Sequence, residues 1–154
     1  MHAVSRDPIV AEDIRNGLAC CGHEMLALSG KTLLITGGAG FVGSYLVESI
    51  AAFNAACQGA PCNVLLPVRS VEAARRKLPH LFDLPHLNWF EWSDGLAGRS
   101  SHCDYVIHGA SPADPADYMA DPEATARTIV RLTEDVLAFA QAARVCSFLY
   151  LSSG

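Results

Sequence analysis

Three glycines fall three residues apart at Gly37, Gly40 and Gly43, and Gly38 adds a second pattern. The run Gly37-Gly-Ala-Gly-Phe-Val-Gly43 therefore satisfies both G-x-x-G-x-x-G and G-x-G-x-x-G. Glycine at these positions permits a tight turn, lets the backbone approach a pyrophosphate with no Cβ in the way, and lets a following helix pack closely on the preceding strand. The chemistry served is anion binding, in which the free N–H groups and partial positive charge of a helix N-terminus receive the phosphates of a dinucleotide. A glycine triplet also makes a bare strand-to-helix turn, so the flanking elements decide between the two.

Other chemistry-bearing residues are less organised. The histidines His2, His23, His80, His86, His102 and His108 show no H-x-x-x-H spacing and have no cysteine partner nearby, so no metal site is expected. The cysteines Cys20, Cys21, Cys57, Cys62, Cys103 and Cys146 lie scattered in apolar stretches without a C-x-x-C pair, and read as buried, reduced thiols of a cytoplasmic protein. A formal charge of −5 provides no basic footprint for nucleic acid or an anionic membrane surface, which leaves a small molecule as the expected ligand. Asp7, Glu12 and Asp13 break up any signal-peptide core, and no apolar stretch reaches the length of a membrane span. The run Arg75-Arg76-Lys77 reads as a solvated helix face.

The elements that must position the glycines follow from periodicity. Ile14, Leu18, Cys21, Met25 and Leu28 form one helical stripe, so residues 1–30 read as an N-terminal helical extension ahead of a domain at 31–154. Thr32–Thr36 reads as a strand and Phe41–Phe53 as a helix, which is the context that the glycine run requires. Further strands are expected at Val64–Val68, Leu87–Trp92, Tyr105–His108 and Ser147–Leu151, with helices at Val71–Leu78 and Pro122–Ala143. Apolar strands alternating with helices imply a parallel sheet covered on both faces. The fold class is α/β, a doubly wound Rossmann-type sheet of order 3-2-1-4-5, whose ligand crevice lies at the switch point between strands 1 and 4.

The segment Thr36-Gly-Gly-Ala-Gly-Phe-Val-Gly-Ser44 resembles the extended short-chain dehydrogenase/reductase family, in its epimerase/dehydratase branch acting on nucleotide sugars. Ile107-His-Gly-Ala-Ser-Pro-Ala-Asp-Pro115, with Tyr118-Met119 and Asp121-Pro122, looks like the segment after strand 4 in UDP-glucuronate decarboxylases and dTDP-glucose dehydratases. Phe148-Leu-Tyr-Leu-Ser-Ser-Gly154 looks like the family's fifth strand, which ends in an active-site hydroxyl residue.

This resemblance implies that Gly37, Gly40, Phe41 and Val42, with Gly43 packing the helix, contact the cofactor diphosphate. It places Gly109, Ala110 and Ser111 on the ribose and nicotinamide side, Asp94 on the adenine amino group, where Ser93-Asp-Gly95 equally reads as a plain turn, and Ser153 as the catalytic hydroxyl beside the nicotinamide, where a helix N-cap is the alternative. His108 becomes a hydrogen-bonded scaffold residue rather than an acid or base. The cofactor is NAD or NADP: the family habit is NAD, but Arg69-Ser70 stands where an acid for the ribose hydroxyls is usual, and an arginine suits a 2′-phosphate. Thr128-Ile-Val-Arg-Leu-Thr133 departs from relatives that carry Asn and then Gly-Thr on this helix.

The function implied is the cofactor-binding portion of a nucleotide-sugar epimerase, dehydratase or decarboxylase, working by transient hydride transfer from a sugar carbon, and the resemblance implies a homodimer. A non-catalytic dinucleotide-binding sensor or interaction module is the alternative. Active relatives place Tyr-x-x-x-Lys about one helix after strand 5. No such spacing occurs here, so the sheet is expected to be truncated after strand 5, the substrate domain absent, and the chain alone inactive.

Overall fold

The computed structural model describes residues 7–57, 59–96, 102–112 and 119–152. Helix α1 spans Pro8–Met25 and starts where Asp7 accepts hydrogen bonds from the N–H groups of Ile9 and Val10. Of its expected stripe, Ile14 is buried and Cys21 is exposed. A 3₁₀ turn at Leu26–Leu28 leads into β1, Thr32–Thr36. There follow α2 (Phe41–Ala56), β2 (Asn63–Val68), α3 (Val71–Lys77), β3 (Leu87–Glu91), β4 (Tyr105–His108), α4 (Pro122–Ala143) and β5 (Ser147–Tyr150).

The five strands form one parallel sheet in the order β3-β2-β1-β4-β5, as expected. Alternate residues feed two cores. Leu33, Ile35, Val64 and Leu66 pack with Val47, Ile50 and Ala51 of α2, while Leu34, Leu65 and Val106 pack with Val136, Phe139 and Ala140 of α4. A sheet sandwiched between helices in this way needs strands apolar on both faces, which is why the strand runs are nearly unbroken.

Element ends differ slightly from expectation, each for a local reason. β3 stops at Glu91 because Trp92 enters a 3₁₀ turn. Helix α2 runs on to Ala56, past Asn54, whose side chain accepts from the Cys62 N–H (2.8 Å) and donates to the Cys62 carbonyl (2.9 Å), clamping the connection to β2. The expectation of buried cysteines is corrected: only Cys62 and Cys103 are buried, Cys57 is half-buried, and Cys20, Cys21 and Cys146 are exposed. Apolar neighbours in sequence do not place a side chain on the core side of a helix. Burial pushes the Cys62 and Cys103 thiols up to about 11, so both are inert.

At the edge of the sheet remote from the strand C-termini, the buried carboxylate of Asp104 accepts from the Thr32 N–H (2.9 Å) and from the Lys31 ammonium (3.1 Å). The Thr32 hydrogen bond first, and then Lys31, hold its carboxyl below the usual range. Asp104→Ala leaves the half-buried Thr32 N–H without its carboxylate and should cost about 1–3 kcal/mol, read from urea unfolding. The contribution of Asp104 is present in full above the ordinary carboxylate pKa of about 4 and fades as pH falls below it. The variant should therefore show a weaker loss of stability between pH 5 and pH 3 than the unmodified chain.

Among the described residues no helix is long and apolar enough to cross a membrane, and no group of three or more His, Cys, Asp or Glu could hold a metal ion.

Candidate functional site

In a parallel sheet all strands end on the same side, so Thr36, Val68, Glu91, His108 and Tyr150 mark one rim. The connections leave this rim in opposite senses on either side of β1 and β4, and that is where a crevice opens. Thr36 pairs with His108 at the rim, so the chain after each of them flanks the crevice.

After Thr36 the backbone turns sharply. Gly37 has φ +76°, and a Cβ there would lie 2.7 Å from the Gly109 carbonyl oxygen and 3.0 Å from the Ala110 nitrogen. The two turns are thus in backbone contact, and only glycine at 37 permits it. The Gly40 N–H donates to the Gly37 carbonyl (2.8 Å), and Gly40 then caps α2. Gly43, buried on the first turn of α2, sits against the Gly37 carbonyl, so that any side chain would collide with backbone. The first N–H groups of α2, which starts directly after the Gly37 turn and has no side-chain cap, have no partner within the helix. Phe41 and Val42 are exposed at its start, with the Phe41 ring 5.7 Å from that of Tyr45.

Two supports for this loop had no assignment in the sequence. The Thr36 hydroxyl accepts from the N–H groups of Gly109 (3.2 Å) and Ala110 (3.1 Å), tying the two turns together. Lys77, at the end of α3, donates to the Ala39 carbonyl (2.6 Å) from 38 residues away. The Arg75-Arg76-Lys77 run is therefore not all solvated face: Arg76 pairs with Glu72, Arg75 lies over the Phe82 ring, and Lys77 holds the glycine loop. Thr36 stood beside the glycines in sequence, whereas nothing local signals the reach of Lys77.

The structure brings Gly37, Gly40, Gly43, Gly109 and Ala110 together. Ser111 follows, exposed, with its hydroxyl on the Pro112 carbonyl. Arg69 is exposed immediately after β2, on the same rim. Asp94 ends the turn after β3, and Ser153 lies outside the described residues. His108 is buried at the end of β4 and bonded on both ring nitrogens, to Thr36 and to Thr133, as a scaffold histidine should be. An apolar hollow of about 360 Å³ lies away from the rim, between α1, α2 and the β4–β5 half of the sheet, with no charged residue in its lining.

This geometry matches known proteins. UDP-glucuronic acid decarboxylase 1 of Arabidopsis thaliana is 30% identical over 109 residues, 71% of this chain and 23% of that protein. An epimerase of the methanogen Methanothermobacter thermautotrophicus superposes with a TM-score of 0.67 at 26% identity, over 89% of this chain and 39% of its own. The Bordetella bronchiseptica enzyme WbmF in complex with NAD+ superposes at 0.62 and 26% identity, over 83% of this chain and 38% of its own. The same enzyme with NAD+ and UDP gives 0.59 at 26% identity, over 80% and 36%. The chain thus spans about a quarter of the length of the curated relatives it matches. The family model for NAD dependent epimerase/dehydratases matches residues 33–154, from β1 through the whole sheet and both crevice turns, and the chain belongs to that family.

Proposed function

We propose that this chain forms the dinucleotide-binding part of an enzyme that epimerises, dehydrates or decarboxylates a nucleotide sugar. The observation that carries the reading is the close approach of the Gly37 backbone to Gly109 and Ala110 at the switch point, which a Cβ on Gly37 would obstruct. The relatives support the substrate class, one being a UDP-glucuronic acid decarboxylase and another a structure holding NAD+ and UDP. When bound, a nicotinamide cofactor supplies the hydride acceptor and donor for a sugar carbon.

In this reading the N-terminus of α2 at Gly40–Gly43 receives the diphosphate, with Phe41 and Val42 shielding it from water. Gly109, Ala110 and Ser111 line the ribose and nicotinamide side, and Asp94 accepts from the adenine amino group. Ser153 hydrogen-bonds the substrate oxygen that gains or loses a proton. The domain doing this begins at residue 31, and the N-terminal extension braces α2, with the Tyr45 hydroxyl on Asp13 at 3.4 Å.

Arg69 sets the cofactor preference. Exposed on the rim after β2, it offers a 2′-phosphate charge-assisted hydrogen bonds, since Glu72, three residues on, is paired with Arg76, and Glu91 at the end of β3 accepts from the Val71 N–H. NADP should bind about tenfold more tightly than NAD in titration calorimetry, and Arg69→Asp should reverse the order. Equal or tighter binding of NAD by the unmodified protein removes Arg69 from the site.

A further inference from the structure

We propose that His108 is a positioning residue: its neutral imidazole, held between the hydroxyls of Thr36 and Thr133, sets the spacing of the two turns that flank the crevice and so ties dinucleotide affinity to its protonation. The inference rests on the dinucleotide reading of that crevice and adds a control to it.

The protons in the network can be placed one by one. The Thr133 hydroxyl donates its single hydrogen to the Ile129 carbonyl (2.8 Å), so toward His108 Nε2, at 3.2 Å, it can only accept. The ring hydrogen is therefore on Nε2, and Nδ1 accepts from the Thr36 hydroxyl at 2.7 Å. With its hydrogen spent on the ring, the Thr36 oxygen has two lone pairs left, and they take the N–H groups of Gly109 and Ala110. Gly109 in turn lies against Gly37. A side chain on α4 thus reaches both crevice turns through one imidazole, and Thr133 is the anchor.

A second ring proton breaks this chain. With Nδ1 protonated, the Thr36 oxygen faces three donors with two lone pairs, its own hydrogen loses its acceptor, and the Ala110 amide is the one released, because the Gly109 N–H also donates to the Thr36 carbonyl (3.2 Å). The groups facing the ring are Thr36 from β1, Thr133 from α4, and Phe148 and Tyr150 from β5, their ring centroids 6.3 and 5.4 Å away. Tyr150 is the one titratable group among them. Burial, with no carboxylate in contact among the described residues, lowers the histidine below its ordinary value and keeps it neutral near pH 7.

The test is an NMR and calorimetric pH series from pH 8 to pH 5 on the protein, with NAD as probe because a 2′-phosphate itself titrates near pH 6. In the cofactor-free protein the Gly109 and Ala110 amides should move with the His108 ring titration, and the ring should show the Nε2–H tautomer near pH 7. NAD affinity should fall about tenfold over the series, and His108→Asn, which keeps an acceptor for Thr36 but cannot gain a proton, should give a flat profile. Thr133→Val should weaken binding, and Thr133→Ser should restore it. A flat profile in the unmodified protein, an unchanged pH dependence in His108→Asn, or turn amides that ignore the ring overturns the proposal. If His108→Asn does not fold, the Thr133 pair and the amide titration decide. Absence of NAD binding at every pH counts against the dinucleotide reading, and the amide titration still judges the histidine on its own.

Discussion

Gly37→Val should lower dinucleotide affinity by about a hundredfold or more, equivalent to roughly 3 kcal/mol of binding free energy. Two costs combine in that variant. A β-branched residue at φ +76° is strained by about 1–2 kcal/mol, and its Cβ would lie 2.7 Å from the Gly109 carbonyl, forcing the two crevice turns apart. Gly43→Ala should act alike without any unusual φ, because even a methyl group there meets the Gly37 carbonyl and lifts α2 from the loop. Gly40→Val should act in the same direction but more weakly, its Cβ 3.0 Å from that carbonyl at an ordinary φ. Gly17→Ala provides the opposite sign. It lies mid-helix in α1 with open space around it, so alanine should stabilise the fold by about 0.5–1 kcal/mol and leave binding alone. Calorimetric titration alongside thermal unfolding separates a lost site from a lost fold.

The second large effect concerns turnover. The 154 residues assayed as such should convert no UDP- or dTDP-sugar, even where they bind cofactor. No tyrosine here has a lysine four positions on: Tyr45, Tyr105, Tyr118 and Tyr150 are followed at that distance by Ser49, Gly109, Pro122 and Gly154. A positioned acid/base typically contributes about 10² to 10⁴ in rate. A sugar carbon must also be oriented against the nicotinamide, a term worth roughly 7–11 kcal/mol of barrier. Coupled assays with several nucleotide sugars give the answer directly. Turnover comparable to that of a complete relative would place the chemistry on residues other than those proposed.

Much of the architecture was legible because its signals are local. The glycine spacing, the apolar runs and Pro122 after Asp121 each specify a turn, a strand or a helix start from neighbours alone, and α4 begins and ends where its pattern does. Strand order followed because alternating elements admit few unknotted parallel arrangements. The bonds between turns were not legible in this way. Thr36, His108 and Thr133 meet across 97 residues of chain, and periodicity carries no information about which hydroxyl faces which ring nitrogen. For the same reason Thr133 looked only like a departure from relatives, Lys77 only like part of a charged face, and the cysteines only like core. Side-chain partners depend on helix rotation about its own axis, which a window of sequence fixes only to within a broad stripe.

Whether the two glycine turns at the ends of β1 and β4 cradle a nicotinamide dinucleotide can be read residue by residue, by titrating the isotopically labelled protein with NAD and NADP while following its backbone amides. Saturable shifts are expected at Gly37–Gly43 and Gly109–Ser111, with Asn63 and Tyr105 at the far ends of β2 and β4 unmoved. Shifts confined to the apolar hollow beside Met25 and Leu149, or no saturable shift at either turn, would contradict the cradle.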